Sequence, residues 1–106
     1  MLKLKQTPTF KFDVELVDVD GGKHRVEFIG THKKKSVLQD LLTGPGSEGR
    51  QDIEVLEKLV CGWNRETIDA EFSREALEEL IDNYHNAAKA ILKRYTDTVN
   101  GAKLGN

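Results

Sequence analysis

From Thr9 to Asp18 the chain alternates, with Phe10, Phe12, Val14 and Leu16 apolar and Lys11, Asp13 and Glu15 polar, the period of a strand buried on one face. Asp20-Gly21-Gly22 supplies residues that accept positive φ, and "KHRVEFI" resumes the extended pattern after it. Together they predict a β-hairpin over residues 9–30. A three-residue loop closing Val19 on Lys23 sets Leu16 opposite Val26 and Val14 opposite Phe28, whereas a two-residue Gly21-Gly22 loop sets Leu16 against Glu27. The longer loop is therefore expected.

A helical period occupies residues 36–100. "SVLQDLLTG" reads as a short helix in which Ser36 and Gln39 form a capping box, Gly44 is the stop, and Leu38, Leu41 and Leu42 make one apolar side. "GPGSEG" is a loop by composition. In "RQDIEVLEKLVCG", Ile53, Leu56, Leu59 and Val60 recur at helical spacing, which predicts a second helix running to Gly62. Ser73 is the expected N-cap of a third helix, with Phe72 and Leu77 at the positions of a hydrophobic staple. Ala76, Leu77, Leu80, Ile81 and Tyr84 share one face of it, and Glu75, Glu78, Glu79 and Asp82 are left in water. "NYHN" breaks the stripe, and Ala87, Ala88, Ile91, Leu92, Tyr95 and Val99 begin a fourth helix that ends before Gly101. The fold class expected is α+β, a hairpin followed by about four helices in a single domain.

At 106 residues the chain suits one small core. Its net charge of −2 sets up no global attraction to nucleic acid or anionic lipid. The distribution says more. Asp52 to Asp82 holds ten acids against three bases, while Met1 to Lys35 holds eight bases against five acids. One cysteine cannot form an internal disulfide, and no apolar run is long enough to cross a bilayer, so a reducing cytosol and no membrane partner are expected.

The candidate chemistry is thin. Gly44, Gly46 and Gly49 match G-x-G-x-x-G, but the pattern follows a helix, Pro45 removes an amide donor, and a flexible loop is the better reading. Cys61 has no neighbouring base, and a place near a helix C-terminus would disfavour its thiolate. His24, His32 and His85 are scattered and show no ligand spacing, so neither a metal nor a cofactor is expected. Lys33 to Lys35 is the one basic cluster, and it supports an alternative reading as a small nucleic-acid-binding accessory protein, although no aromatic platform accompanies it. Trp63 reads as a core plug whose N–H reaches a loop carbonyl, or else as a contact hot spot.

The order of these motifs resembles the phage tail assembly chaperones of long-tailed bacteriophages and prophages. "PTFKFDVEL" and "GGKHRVEF" are similar to the family's hairpin, "HKKK" with the following leucine to its basic approach to a short helix, and "GW…EFSREALEELIDNYHNAAKAI…Y…GAKLGN" to its helical half. The resemblance implies a non-enzymatic helper that coats the tape measure protein, helps recruit tail-tube subunits, self-associates, and acts in the host bacterial cytoplasm without entering the mature virion. It also implies a longer form made by ribosomal frameshifting, diverging near Lys103. The partner-binding residues expected are Glu75, Glu78, Glu79, Asp82 and Trp63, around a groove between the third and fourth helices. The edge strand of the hairpin is the expected route of self-association.

Overall fold

The computed structural model describes residues 1–5 and 7–101; Gln6 and residues 102–106, with the Lys103 position of the expected longer form, lie outside the described residues. Strands β1 (Thr9–Val17) and β2 (Lys23–Thr31) form the expected antiparallel hairpin. Their even-numbered apolar side chains, Phe12, Val14 and Leu16 on β1 with Val26 and Phe28 on β2, are all buried. The opposite face is solvated, and Lys23 to Glu15 and Arg25 to Asp13 cross it diagonally at 3.8 Å each.

The loop has the expected length but sits one residue earlier. Val14 pairs with Val26, Phe12 with Phe28, and Leu16 with His24, not with Val26. Asp18 and Gly22 close the turn: Asp18 N–H donates to the Gly22 carbonyl at 2.9 Å, and Gly21 N–H donates to the Asp18 carbonyl at 3.0 Å. The cause is the first turn position, which favours Asp over Val. The Asp18 carboxylate accepts from the amides of Asp20 (2.9 Å) and Gly22 (2.8 Å) and meets His24 Nε2 at 2.7 Å, while Gly21 takes the positive φ of 84°.

Those contacts, the His24 hydrogen bond first, hold the Asp18 carboxyl below the usual carboxylate range. A depressed folded-state value contributes stability above the unfolded value, and that contribution is lost as pH falls through the folded value. Asp18→Ala is therefore expected to melt at lower temperature than wild type at neutral pH, with the gap closing at an acidic pH where the folded-state carboxyl is protonated. Paired thermal melts at the two pH values check this; a gap that persists unchanged in acid would mean the carboxylate charge is not what holds the turn.

Helix α1 spans Lys35–Thr43. Its N-cap is Lys34, without a side-chain cap, so the Ser36–Gln39 capping box does not form. The chain leaves the sheet with His32 N–H on the Pro8 carbonyl, and the first helical bond runs from Leu38 N–H to Lys34. A cap contributes about 0.5–2 kcal/mol, no more than burying one leucine, and this start buries Leu41 while leaving Val37 exposed. Gly44 ends the helix as expected, through close approach: a Cβ there would strike the Asp40 carboxyl and carbonyl.

Helix α2 is shorter than its pattern suggested, Asp52–Leu59, and the following residues Val60–Trp63 form a third strand, β3. Phe28 pairs with Trp63 and Ile29 with Gly62, giving sheet order β1-β2-β3 with an irregularity at Ile29/Gly30. Gly30 is buried where a Cβ would meet the Phe10 and Phe12 rings, which cross the sheet at that point. Helices α3 (Arg74–Asn83) and α4 (Ala87–Val99) follow, meeting at the expected bend.

Helices α2 and α4 pack against the sheet, and α3 packs on α2 and α4. Ile53, Leu56 and Leu59 from α2, Leu77 and Leu80 from α3, and Ala87, Ile91 and Tyr95 from α4 join the strand side chains in one core. Tyr95 is central, with its ring 5.3 Å from Phe10 and 6.0 Å from Phe12 and its hydroxyl donating to the Thr31 carbonyl at 2.6 Å. Burial raises its phenol above the ordinary value.

Candidate partner-binding surface

The start of α3 is built as the sequence indicated. Ser73 Oγ accepts from Ala76 N–H at 3.0 Å, and Phe72 and Leu77 turn inward around the cap. The Phe72 ring stands edge-on to Trp63 at 5.0 Å, and Phe28 meets the same indole at 6.1 Å from within the sheet. Trp63 is 6 % exposed, and its Nε1 donates to the Ala70 carbonyl at 2.7 Å. The indole thus ties β3 to β2 and to the connection 64–72 that leads into α3.

Outside that anchor, Glu75, Glu78, Glu79 and Asp82 stand exposed along α3. The nearby cations are already engaged: Arg74 Nε donates to Glu57 at 2.5 Å and Arg65 lies 3.6 Å from Glu71. The Glu57 hydrogen bond, then its charge, pushes the Arg74 guanidinium above its ordinary value. Among the described residues, none of the four α3 carboxylates has an ion-pair partner within 4.0 Å. They also repel one another at i,i+3 and i,i+4 spacing (75–78, 75–79, 78–82 and 79–82), a pattern that weakens a helix and is relieved by a cationic neighbour.

The depression beside this stripe is made by α3 with the connection 64–72, not by α3 with α4. Trp63, Ile68, Ala70 and Leu80 form its apolar wall, Asp69 and Glu79 flank it, and its volume is about 210 Å³. Glu75, Glu78 and Asp82 lie outside it. A second apolar depression, about 150 Å³, lies among α1, α2 and α4, where Leu41, Leu42, Val55 and Leu92 converge.

The hairpin edge expected to be free is bonded by α4. Arg94 Nε donates to the Asp13 carbonyl at 3.1 Å, and Asn86 Nδ2 donates to the Glu15 carbonyl at 3.4 Å. The Asn86 Oδ1 accepts from Val17 N–H at 3.3 Å. These are outward-facing groups of β1, and their occupation blunts strand addition. Sequence reasoning missed this use of Asn86, whose only sign was a polar residue in the bend.

The remaining candidates stay apart. Cys61 is exposed on β3, two residues past the end of α2 and so near a helix C-terminus as expected, with its thiol 3.6 Å from the Ile29 carbonyl. His24 serves the hairpin turn, His85 lies in the α3–α4 bend, and among the described residues no three His, Cys, Asp or Glu gather as metal ligands. The glycine motif forms the α1 stop and a 3-10 turn, Ser47–Gly49, over which Arg50 Nη1 reaches the Asp40 carbonyl at 3.2 Å and the Leu41 carbonyl. Lys34 and Lys35 are the cap and first residue of α1. Among the described residues no helix is long and apolar enough to cross a membrane.

A family model described as phage tail assembly chaperone matches residues 1–106, the whole chain. The chain belongs to that family. Neither the curated proteins nor the solved structures yield a match. For a tail assembly chaperone, a role in tail assembly follows directly, with phage tail proteins as its interaction class and with chaperoning, not catalysis, as the expected activity.

Proposed function

We propose that this chaperone binds the tape measure protein and assists the recruitment of tail-tube subunits around it, in the host bacterial cytoplasm and before the virion matures. A tape measure is a long, largely helical chain whose apolar stripe is prone to aggregate until the tube encloses it, so many weak contacts serve better than one tight pocket. The observation that carries the reading to a surface is the row of unpartnered carboxylates on α3, which suits a helical partner with cationic flanks.

Co-expression with the cognate tape measure is the test. The expected result is a soluble complex with many copies of this chain per tape measure, and its absence from purified virions by mass spectrometry. Glu78→Lys with Asp82→Lys, both on the side turned away from the recess, is expected to weaken the complex by about tenfold or more while leaving the melt of the free chain unchanged. A tape measure that stays insoluble beside folded wild type defeats the chaperone reading. A reversed variant that binds like wild type defeats only the choice of face. Binding of DNA or RNA that weakens steeply with salt would instead favour the Lys33–Lys35 alternative.

A further inference from the structure

Two stretches without a carboxylate, residues 1–12 and 29–39, carry Lys3, Lys5, Lys11, Lys33, Lys34 and Lys35. The hairpin brings both to one end of the molecule: Thr9 pairs with Thr31, and His32 N–H donates to the Pro8 carbonyl at 2.9 Å. That bond roots the arm of residues 1–5 beside the approach to α1, and the Tyr95 hydroxyl holds the approach through the Thr31 carbonyl. Among the described residues none of the six lysines has a carboxylate within 4.0 Å, and Asp97, near the end of α4, is taken by Lys93 at 2.8 Å. The same pole leaves apolar groups in water. Leu2, Leu4 and Val37 are 89 %, 97 % and 49 % exposed, and Phe10 and Val99 wall a depression of about 250 Å³ with Thr7, His32 and Thr98.

We propose that this lysine pole is a second docking surface, for an acidic amphipathic segment of a partner protein whose carboxylates meet the lysines and whose apolar side meets Leu2, Leu4 and Val37. Charge complementarity supplies half of the match, since unanswered cations at one end of a small domain repel one another and are relieved by an anionic partner. The exposed leucines and valine supply the other half, and they decide the class of partner. A nucleic acid leaves them in water, and the aromatic rings at this end, Phe10 and Tyr95, pack on the core instead of offering a platform for bases. An anionic bilayer is the poorer fit, because Val37 is the one large apolar side chain that α1 exposes. The pole is separate from the α3 stripe. Helix α4, about 20 Å long at 1.5 Å per residue, meets β1 near the hairpin turn at its Asn86 end and reaches the pole at its Val99 end. The pole therefore adds a partner and does not depend on which protein the α3 stripe binds.

The test uses the purified full chain without any tape measure, so its failure leaves the chaperone reading standing. The probe is a fluorescein-labelled amphipathic peptide of Glu and Leu, compared with a Glu and Ser peptide of equal length and charge, a single-stranded oligonucleotide of that charge, and phosphatidylserine vesicles. Anisotropy is expected to show the Glu–Leu peptide bound at about 0.05 M salt, with affinity about tenfold or more lower at about 0.5 M, where screening is strong. Lys34→Glu with Lys35→Glu is expected to lower the low-salt affinity by about tenfold or more without lowering the melt, because carboxylates at the start of α1 suit its dipole. Leu2→Ser with Leu4→Ser is expected to weaken the peptide several-fold and to melt like wild type, since neither leucine belongs to the core. Glu78→Lys with Asp82→Lys is expected not to weaken it. A Glu–Leu peptide that does not bind, or that binds the Lys34 and Lys35 variant like wild type, overturns the proposal. So does a Glu–Ser peptide that binds equally well, which removes the apolar half of the match. Tighter binding of the oligonucleotide or the vesicles through the same lysines overturns it too, and gives the pole to nucleic acid or to lipid.

Discussion

Val14→Lys is expected to abolish cooperative folding, and Lys11→Glu, three residues away on the same strand, to leave it almost untouched. Val14 is 1 % exposed and pairs with Val26, on the face that also carries Phe12, Leu16 and Phe28. An ammonium placed there has no carboxylate to meet, because no charged side chain is buried among the described residues. The cost is on the order of several kcal/mol for an unpaired buried charge, against a total stability of about 5–15 kcal/mol for a small domain. Lys11 points to the solvated face, where a substitution typically changes stability by less than about 0.5 kcal/mol. Thermal and urea melts of the two variants decide it. Coincident curves would mean that the hairpin does not bury its even-numbered face.

That prediction rests on the part of the fold most legible in the sequence. Alternation over nine residues specifies both a strand and its buried face, and it survives an error in register by two, because a shift of two keeps every side chain on its own face. The same holds for α3, where a serine cap, a staple and a stripe agree, and local chemistry is enough. The turn lies one residue from where the glycines alone would put it, because the deciding contacts come from the Asp18 carboxylate three positions before Gly21.

β3 was not legible. Val60 to Trp63 is four residues long, too short for a period of two to show against the helical spacing that precedes it. What makes it a strand is the free edge of β2, more than thirty residues earlier, which offers Phe28 and Ile29 as partners. The same non-locality hid the recess, whose wall is assembled from β3, the connection and α3, and the covering of β1, whose bonds span 69, 71 and 81 residues. The acidic stripe was readable from spacing alone; its lack of cationic partners required knowing that Arg74 turns to Glu57 and Arg65 to Glu71. Function lies mostly on this second, tertiary level, because a chaperone's surface is composed of patches that no single segment carries.

Trp63→Ala is expected to cost about as much as any single truncation here, roughly 3–5 kcal/mol for a buried large aromatic. The indole is held by Phe28 on β2 and at two points of the connection 64–72, the Phe72 ring and the Ala70 carbonyl that accepts from Nε1. Removing it opens a cavity at their junction and leaves that carbonyl without its donor. Trp63→Phe keeps most of the packing and loses the hydrogen bond, a cost of about 1–3 kcal/mol. A graded series of melting temperatures, wild type above Phe above Ala, is therefore the expected result for the purified chain alone. This separates a structural indole from one that serves only a partner, since the latter would leave the free chain's melt unmoved in both variants. The protein contains one tryptophan, so its fluorescence reports this junction and nothing else. Emission should be blue-shifted in the native state, and its transition should coincide with that seen by far-UV circular dichroism if the junction melts with the domain. A fluorescence transition that precedes the circular dichroism change would instead assign the connection 64–72, and with it the recess beside α3, to a unit that opens before the core does.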